Sequence, residues 1–131
     1  MVKVYVAGKW YDKATIKTYI EQLKSAGVEI THDWTITEEE DKKTDADCAR
    51  FAVMDLQGVM DAEAVVVVVT DASYPYRGTC VECGAALACN KPVFVVTLVP
   101  DAAFNKNIFM KHPLVHHMST FEQALDVINN L

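Results

Sequence analysis

The sequence predicts a doubly wound, flavodoxin-like α/β fold: a five-stranded parallel sheet in the order 2-1-3-4-5, helices on both faces, and a single domain over residues 1–131. Three observations carry this. Strand-like and helix-like segments alternate along the chain, the pattern of βαβ units. Ala64 to Thr70 and Pro92 to Val99 are nearly unbroken apolar runs, as expected of strands covered on both faces. A chain of 131 residues with 51% hydrophobic and 23% charged side chains suits one globular core.

The elements follow in order. Val2 to Ala7 is β-rich and stops at Gly8. Ala14 to Ala26 carries Ile16, Tyr19, Ile20 and Leu23 at helical spacing, with Gly27 as terminator. Val28 to His32 reads as a second short strand, and Thr35 to Asp45, with Glu38, Glu39, Glu40, Asp41, Lys42 and Lys43, as a solvated charged loop. A helix from Ala46 to Asp61 leads into the valine strand. After it come a turn-rich stretch (Asp71 to Gly78), a small-residue helix (Thr79 to Asn90) and the strand Pro92 to Val99. A loop with a short helical piece near Asn105 to Met110, an edge strand around Leu114 to Met118 and a helix from Thr120 complete the chain. Ligands bind such a sheet beyond the carboxyl ends of its strands where the strand order reverses, which directs attention to Gly8 to Trp10, Thr70 to Gly78 and the helix that follows.

Composition narrows the partners. Twelve Lys and Arg against 18 Asp and Glu give a net charge of −6, a poor match to a nucleic-acid polymer. No apolar run approaches the ~20 residues of a membrane-spanning helix, so no membrane partner is expected. No charged-then-apolar leader precedes Val2, and Cys48, Cys80, Cys83 and Cys89 read as reduced thiols, so the expected location is cytoplasmic.

The chemistry concentrates in GTCVECGAALA, Gly78 to Ala88, where Glu82 is the single charged side chain on an apolar helix. A place in the first helical turn would expose it to free N–H groups and the positive dipole end, favouring the ionised form that a nucleophile requires. Thr79 and Glu82 also have the T-x-x-E spacing of a capping box, a purely structural reading. Gly84 weighs against that reading, since glycine inside a helix commonly marks a close approach by backbone or ligand. Asp55 falls with Phe51, Ala52, Val59 and Ala62 on the stripe of its helix that should be buried, where an acid either has a task or sits at the rim. Two carboxylates in one crevice, one ionised and one able to hold a proton, would suit cleavage of a glycosidic bond. Cys80 and Cys83 form a C-x-x-C that allows a redox reading. That pair without a second ligand pair, even with His112, His116 and His117 nearby, is a poor zinc set, and no metal is expected. Neither G-x-G-x-x-G nor G-x-x-x-x-G-K-[ST] occurs, so no cofactor is expected.

Four segments, VYVAG (Val4 to Gly8), DLQGVMDAEAVVVVVT (Asp55 to Thr70), RGTCVECGAALACNKPV (Arg77 to Val93) and TFEQAL (Thr120 to Leu125), resemble the nucleoside 2-deoxyribosyltransferase family, which includes related 2′-deoxynucleoside 5′-monophosphate N-hydrolases. The resemblance implies that Glu82 is a nucleophile forming a covalent deoxyribosyl intermediate, that Tyr5 orients it, and that Asp55 assists proton delivery to the departing base. It implies a polar residue given to a neighbouring subunit at Asn107, hence a homo-oligomer with shared sites. Gly8, Lys9, Trp10, Tyr76 and Gly78 are the expected substrate-binding positions, though Lys9, Trp10 and Tyr11 stand where relatives have small or proline-containing sequence. The implied partners are a small-molecule nucleoside or nucleotide and a free nucleobase. The implied reaction is deoxyribosyl transfer between bases, with a monophosphate N-hydrolase or a non-catalytic nucleotide-binding module as alternatives.

Overall fold

Six consecutive apolar residues, Ala64–Val69, form β3, and all six are buried. A strand so covered belongs at the centre of a sheet, and in the computed structural model, which describes residues 1–131, β3 is flanked by β1 (Lys3–Gly8) and β4 (Val93–Thr97). The short strands β2 (Glu29–Ile30) and β5 (Val115–Met118) form the edges, giving the order β2-β1-β3-β4-β5 with every pairing parallel. The register sets Tyr5 opposite Val65 and Gly8 opposite Val68, so the carboxyl ends of β1 and β3 open side by side at the reversal point.

The helices cover this sheet by their apolar stripes. In α1 (Lys13–Ser25) the buried residues are Ile16, Ile20 and Leu23, and Gly27 at φ 86 follows the helix in the left-handed conformation that ends many helices. The helix α4 (Phe121–Asn129) buries Phe121, Ala124 and Ile128 behind a Thr120–Gln123 capping box. Tyr19 of α1 meets Phe121 at 4.3 Å between ring centroids, placing these two helices on one face. On the other face α2 (Asp45–Asp61) packs against α3 (Arg77–Ala88). Lys91 donates to the carbonyls of Val59 and Met60, satisfying acceptors left over at the end of α2.

Three local expectations are corrected. The charged stretch after β2 is not simply a solvated loop: it forms two 3-10 turns, Trp34–Ile36 and Glu39–Lys42, with Trp34, Thr35 and Thr37 buried. The small-residue helix starts at Arg77 rather than Thr79, because Tyr76 adopts φ 53 and its buried side chain fixes the turn. The Tyr76 hydroxyl accepts the backbone N–H of Thr70 at 2.9 Å and of Asp71 at 3.0 Å, and its ring packs on Phe104. A bulky residue at positive φ is strained by roughly 1–2 kcal/mol, and these anchors hold it there. Finally, Gly84 is no close approach, since a Cβ on it would meet nothing within 4 Å.

The close approach is at Gly58 instead. A Cβ there would lie 2.7 Å from His32 Cβ and 2.9 Å from the Tyr5 ring, so the missing side chain is what lets α2 settle against β1 and the residues after β2. The two glycines therefore predict opposite outcomes in urea denaturation. Gly58→Ala destabilises by about 1–3 kcal/mol through overpacking, whereas Gly84→Ala, free of contacts, stabilises by up to ~1 kcal/mol through helix propensity.

Candidate functional site

At the carboxyl ends of β1 and β3 a cavity of about 320 Å³ opens, and its wall includes Tyr5, Asp55 and Glu82. Each side chain arrives from a different element. Tyr5 projects from β1 with its ring fully buried, Asp55 from the rim of the α2 stripe with its side chain 30% exposed, and Glu82 from the second turn of α3. The Tyr5 hydroxyl donates to Glu82 Oε2.

This geometry revises the expectation for Glu82. With α3 starting at Arg77, Glu82 lies beyond the free N–H groups of the first turn, and it bonds to Tyr5 rather than closing a capping box with Thr79. Burial pushes its carboxyl up to about 7; the Tyr5 hydroxyl opposes this, the Asp55 charge adds to it and Lys42 opposes it. The phenol of Tyr5 is raised in turn, by burial and then by the charges of Glu82 and Asp55, so it stays a proton donor in a hydrogen bond. Asp55 is also raised, chiefly by burial, with His32 and Lys42 pulling the other way. Near neutral pH the Glu82 carboxyl is thus poised between its two protonation states, beside a second carboxyl, Asp55, that burial also shifts upward.

Aromatic and cationic residues form the rest of the wall. The Trp34 indole N–H donates to the Val6 carbonyl at 2.7 Å, and its ring lies 6.2 Å from that of Trp10. Trp10 is held by its indole N–H to Glu39 at 3.1 Å, with the Lys42 ammonium 3.6 Å and the Lys13 ammonium 4.7 Å from its ring. Lys42, Gly8, Tyr76, Arg77, Gly78 and Thr79 also line the cavity. Sequence reasoning missed Trp34, Lys42 and His32. A tryptophan just beyond a short strand, next to the charged stretch, was a usable signal for Trp34; a charge run gives none for Lys42, because solvated lysines look the same.

Two expected substrate-binding residues lie outside this wall. Lys9 pairs with Asp71 at 2.9 Å and sits over the Tyr74 ring, tying the loop after β1 to the loop after β3. Asn107 lines a separate apolar groove with Cys80, Val81, Gly84 and Phe109. The C-x-x-C thiols lack reactive character: burial pushes Cys83 up to about 12 and raises Cys80, the reverse of what a redox pair needs.

The fold and the cavity together define the class: a small doubly wound α/β protein with paired carboxyl groups and aromatic side chains at the switch point of its sheet. The particular group is set by the whole chain: the model of the nucleoside 2-deoxyribosyltransferase family matches residues 4–125, and the chain belongs to that family. It is thereby an enzyme of the deoxyribosyltransferase or N-glycosidase type, acting on small nucleoside or nucleobase substrates.

Solved structures show the same fold. A conserved protein from Enterococcus faecalis V583 is 18% identical over 99% of this chain and 98% of its own, with a TM-score of 0.72. A 2-deoxyribosyltransferase from Bacillus psychrosaccharolyticus is 17% identical over 95% and 91%, with a TM-score of 0.71. A CMP N-glycosidase from Clostridium botulinum is 17% identical over 98% and 99%, with a TM-score of 0.59. A search of curated protein sequences finds no match. No helix is long and apolar enough to cross a membrane.

The raised Glu82 carboxyl has a thermodynamic consequence. Its pKa in the folded chain, about 7, exceeds the ordinary 4.5, so it contributes stability that is complete below about 4.5 and is lost as pH rises through 7. Glu82→Gln, which keeps an acceptor for Tyr5 without a charge, should match the parent near pH 4.5 and exceed it by up to about 3 kcal/mol at pH 8. Denaturant unfolding of both proteins at the two pH values measures the difference.

Proposed function

We propose that this chain cleaves the N-glycosidic bond of a 2′-deoxynucleoside and transfers the deoxyribosyl group to a second nucleobase through an ester on Glu82. The observation that carries the reading is the Tyr5–Glu82 hydrogen bond inside a cavity shared with Asp55. Ionised Glu82 attacks C1′; the bond from C1′ to the base nitrogen breaks, and its electron pair leaves with the base, which takes a proton from Asp55. In the second half a free base attacks C1′ through its ring nitrogen, gives its proton to Asp55, and releases the Glu82 carboxylate. Tyr5 donates to Glu82 throughout, favouring its charged form and aiming one oxygen. Trp10 and Trp34 offer stacking surface to the base.

A second reading, hydrolysis of a 2′-deoxynucleoside 5′-monophosphate, has its own support. Lys42 and Arg77 lie in the cavity wall, together with Gly78 and Thr79 in the first turn of α3, where backbone N–H groups precede the first intrahelical bond from Cys80 to Tyr76. Cations and a helix N-terminus suit a phosphate. The groove that contains Asn107 is bordered by exposed Val81 and Phe109, a face suited to a second copy of the chain. In such a homo-oligomer Asn107 serves the neighbour's cavity.

Deoxyinosine incubated with free adenine should yield deoxyadenosine. Free deoxyribose without the new nucleoside overturns transfer, and release of base from monophosphates alone selects hydrolysis. Glu82→Ala should lose at least ~10³-fold in kcat and abolish a deoxyribosyl adduct seen by intact-protein mass spectrometry; Asp55→Asn should lose ~10²–10⁴-fold. In Tyr5→Phe the acid limb of the kcat/KM profile should move to higher pH, because the donor favouring ionised Glu82 is gone. An unmoved limb contradicts the role of Tyr5.

A further inference from the structure

His32 follows the short strand β2 and enters none of the steps above, yet its placement is tightly specified. Its Nε2 lies 3.1 Å from Asp55 Oδ1, with its side chain 17% exposed. The contact is an ion-pair distance rather than an aligned hydrogen bond: Nε2 is buried and makes no hydrogen bond, with Asp55 Oδ1 within reach of it. A buried ring nitrogen without a partner is costly, so Asp55 is the group that answers it. Catalytic hydrogen bonds commonly straighten only when the site is filled.

The backbone is built for this meeting. Gly58, one helical turn beyond Asp55, is the position where a Cβ would lie 2.7 Å from His32 Cβ. Next to it the Thr31 hydroxyl donates to the Gly58 carbonyl at 2.6 Å, tying the segment after β2 to α2. The imidazole is thus pressed against the helix that carries Asp55. Asp55 Oδ1 is the oxygen that His32 reaches, while the carboxyl itself lines the cavity.

We propose that His32 is a positioning residue for the proton donor: its Nε2–H holds Asp55 Oδ1 and leaves Oδ2 to face the departing base. The inference rests on the assignment of Asp55 as proton donor. His32 touches no substrate in this account and acts through the orientation of one carboxyl group. The other charged or titratable groups facing Asp55 are Lys42 from the second 3-10 turn, Glu82 from α3 and Tyr5 from β1. Because Lys42, Glu82 and Tyr5 remain when His32 is changed, the effect of His32 can be read separately. An N–H donor favours ionised Asp55, so its removal shifts the Asp55 titration to higher pH.

The test compares His32→Phe, which keeps a ring against Gly58 but no nitrogen, with His32→Ala and with His32→Gln, which restores an amide donor. The readouts are the carbon-13 titration of the Asp55 carboxyl in labelled full-length protein and steady-state kinetics on the proposed nucleoside. His32→Phe and His32→Ala should both move the Asp55 midpoint upward and lower kcat by about 10- to 100-fold with KM nearly constant. His32→Gln should recover part of both. An Asp55 midpoint that stays in place in the Phe variant overturns the proposal, as does an unchanged kcat. Parent protein that turns over no nucleoside defeats the functional reading instead, and the titration still decides whether His32 holds Asp55.

Discussion

The site depends on one constraint, the burial of a carboxyl group whose bonded partner is a phenol. A carboxylate taken out of water loses solvation that a neutral hydrogen bond only partly replaces. Glu82 is accordingly pushed up to about 7 with Tyr5 as its donor. A stronger partner, such as an arginine in direct contact, would keep the group charged but hold its oxygens in a tight pair and blunt it as a nucleophile. A phenol leaves it reactive, and the cost is stability above neutral pH.

The rest of the architecture serves that pairing. Parallel pairing of β1 with β3 buries Tyr5 fully, and its side chain rises from the sheet to meet Gly58 of α2 and Glu82 of α3. Tyr76 locks the loop after β3 by accepting two backbone N–H groups, which sets where α3 begins and therefore which turn carries Glu82. Gly58 brings α2 close enough for Asp55 to share the cavity. Lys9 and Asp71 clamp the loops above, and Asp71 is held down to about 2 by the Lys9 ammonium and the Ser73 N–H.

Much of this was legible in the sequence, for physical reasons. An unbroken run of β-branched valines is the mark of a doubly covered strand, and its alternation with helices favours a doubly wound parallel sheet. An acid on an otherwise apolar helix and another on a helix's inward stripe stood out because burial makes such residues expensive. What stayed hidden depends on contacts distant in sequence. The start of α3 is decided by the Tyr76 hydroxyl reaching back to Thr70 and Asp71, so Thr79 looked like a cap and Glu82 like a first-turn residue. Gly58 carries no local mark that separates it from Gly84, though one is pressed between two side chains and the other is open. Lys42 reaches the wall through Trp10, a contact across the segment that local charge patterning cannot register.

The central claim is that Glu82 stays half-ionised near neutrality with Tyr5 as its donor. Carbon-13 NMR of protein labelled at the glutamate side-chain carboxyl, with Glu82 assigned by its loss in Glu82→Gln, measures this directly. The account predicts a Glu82 midpoint of about 7, well above the ordinary 4.5. A midpoint at the ordinary value would show a solvated carboxylate and contradict it.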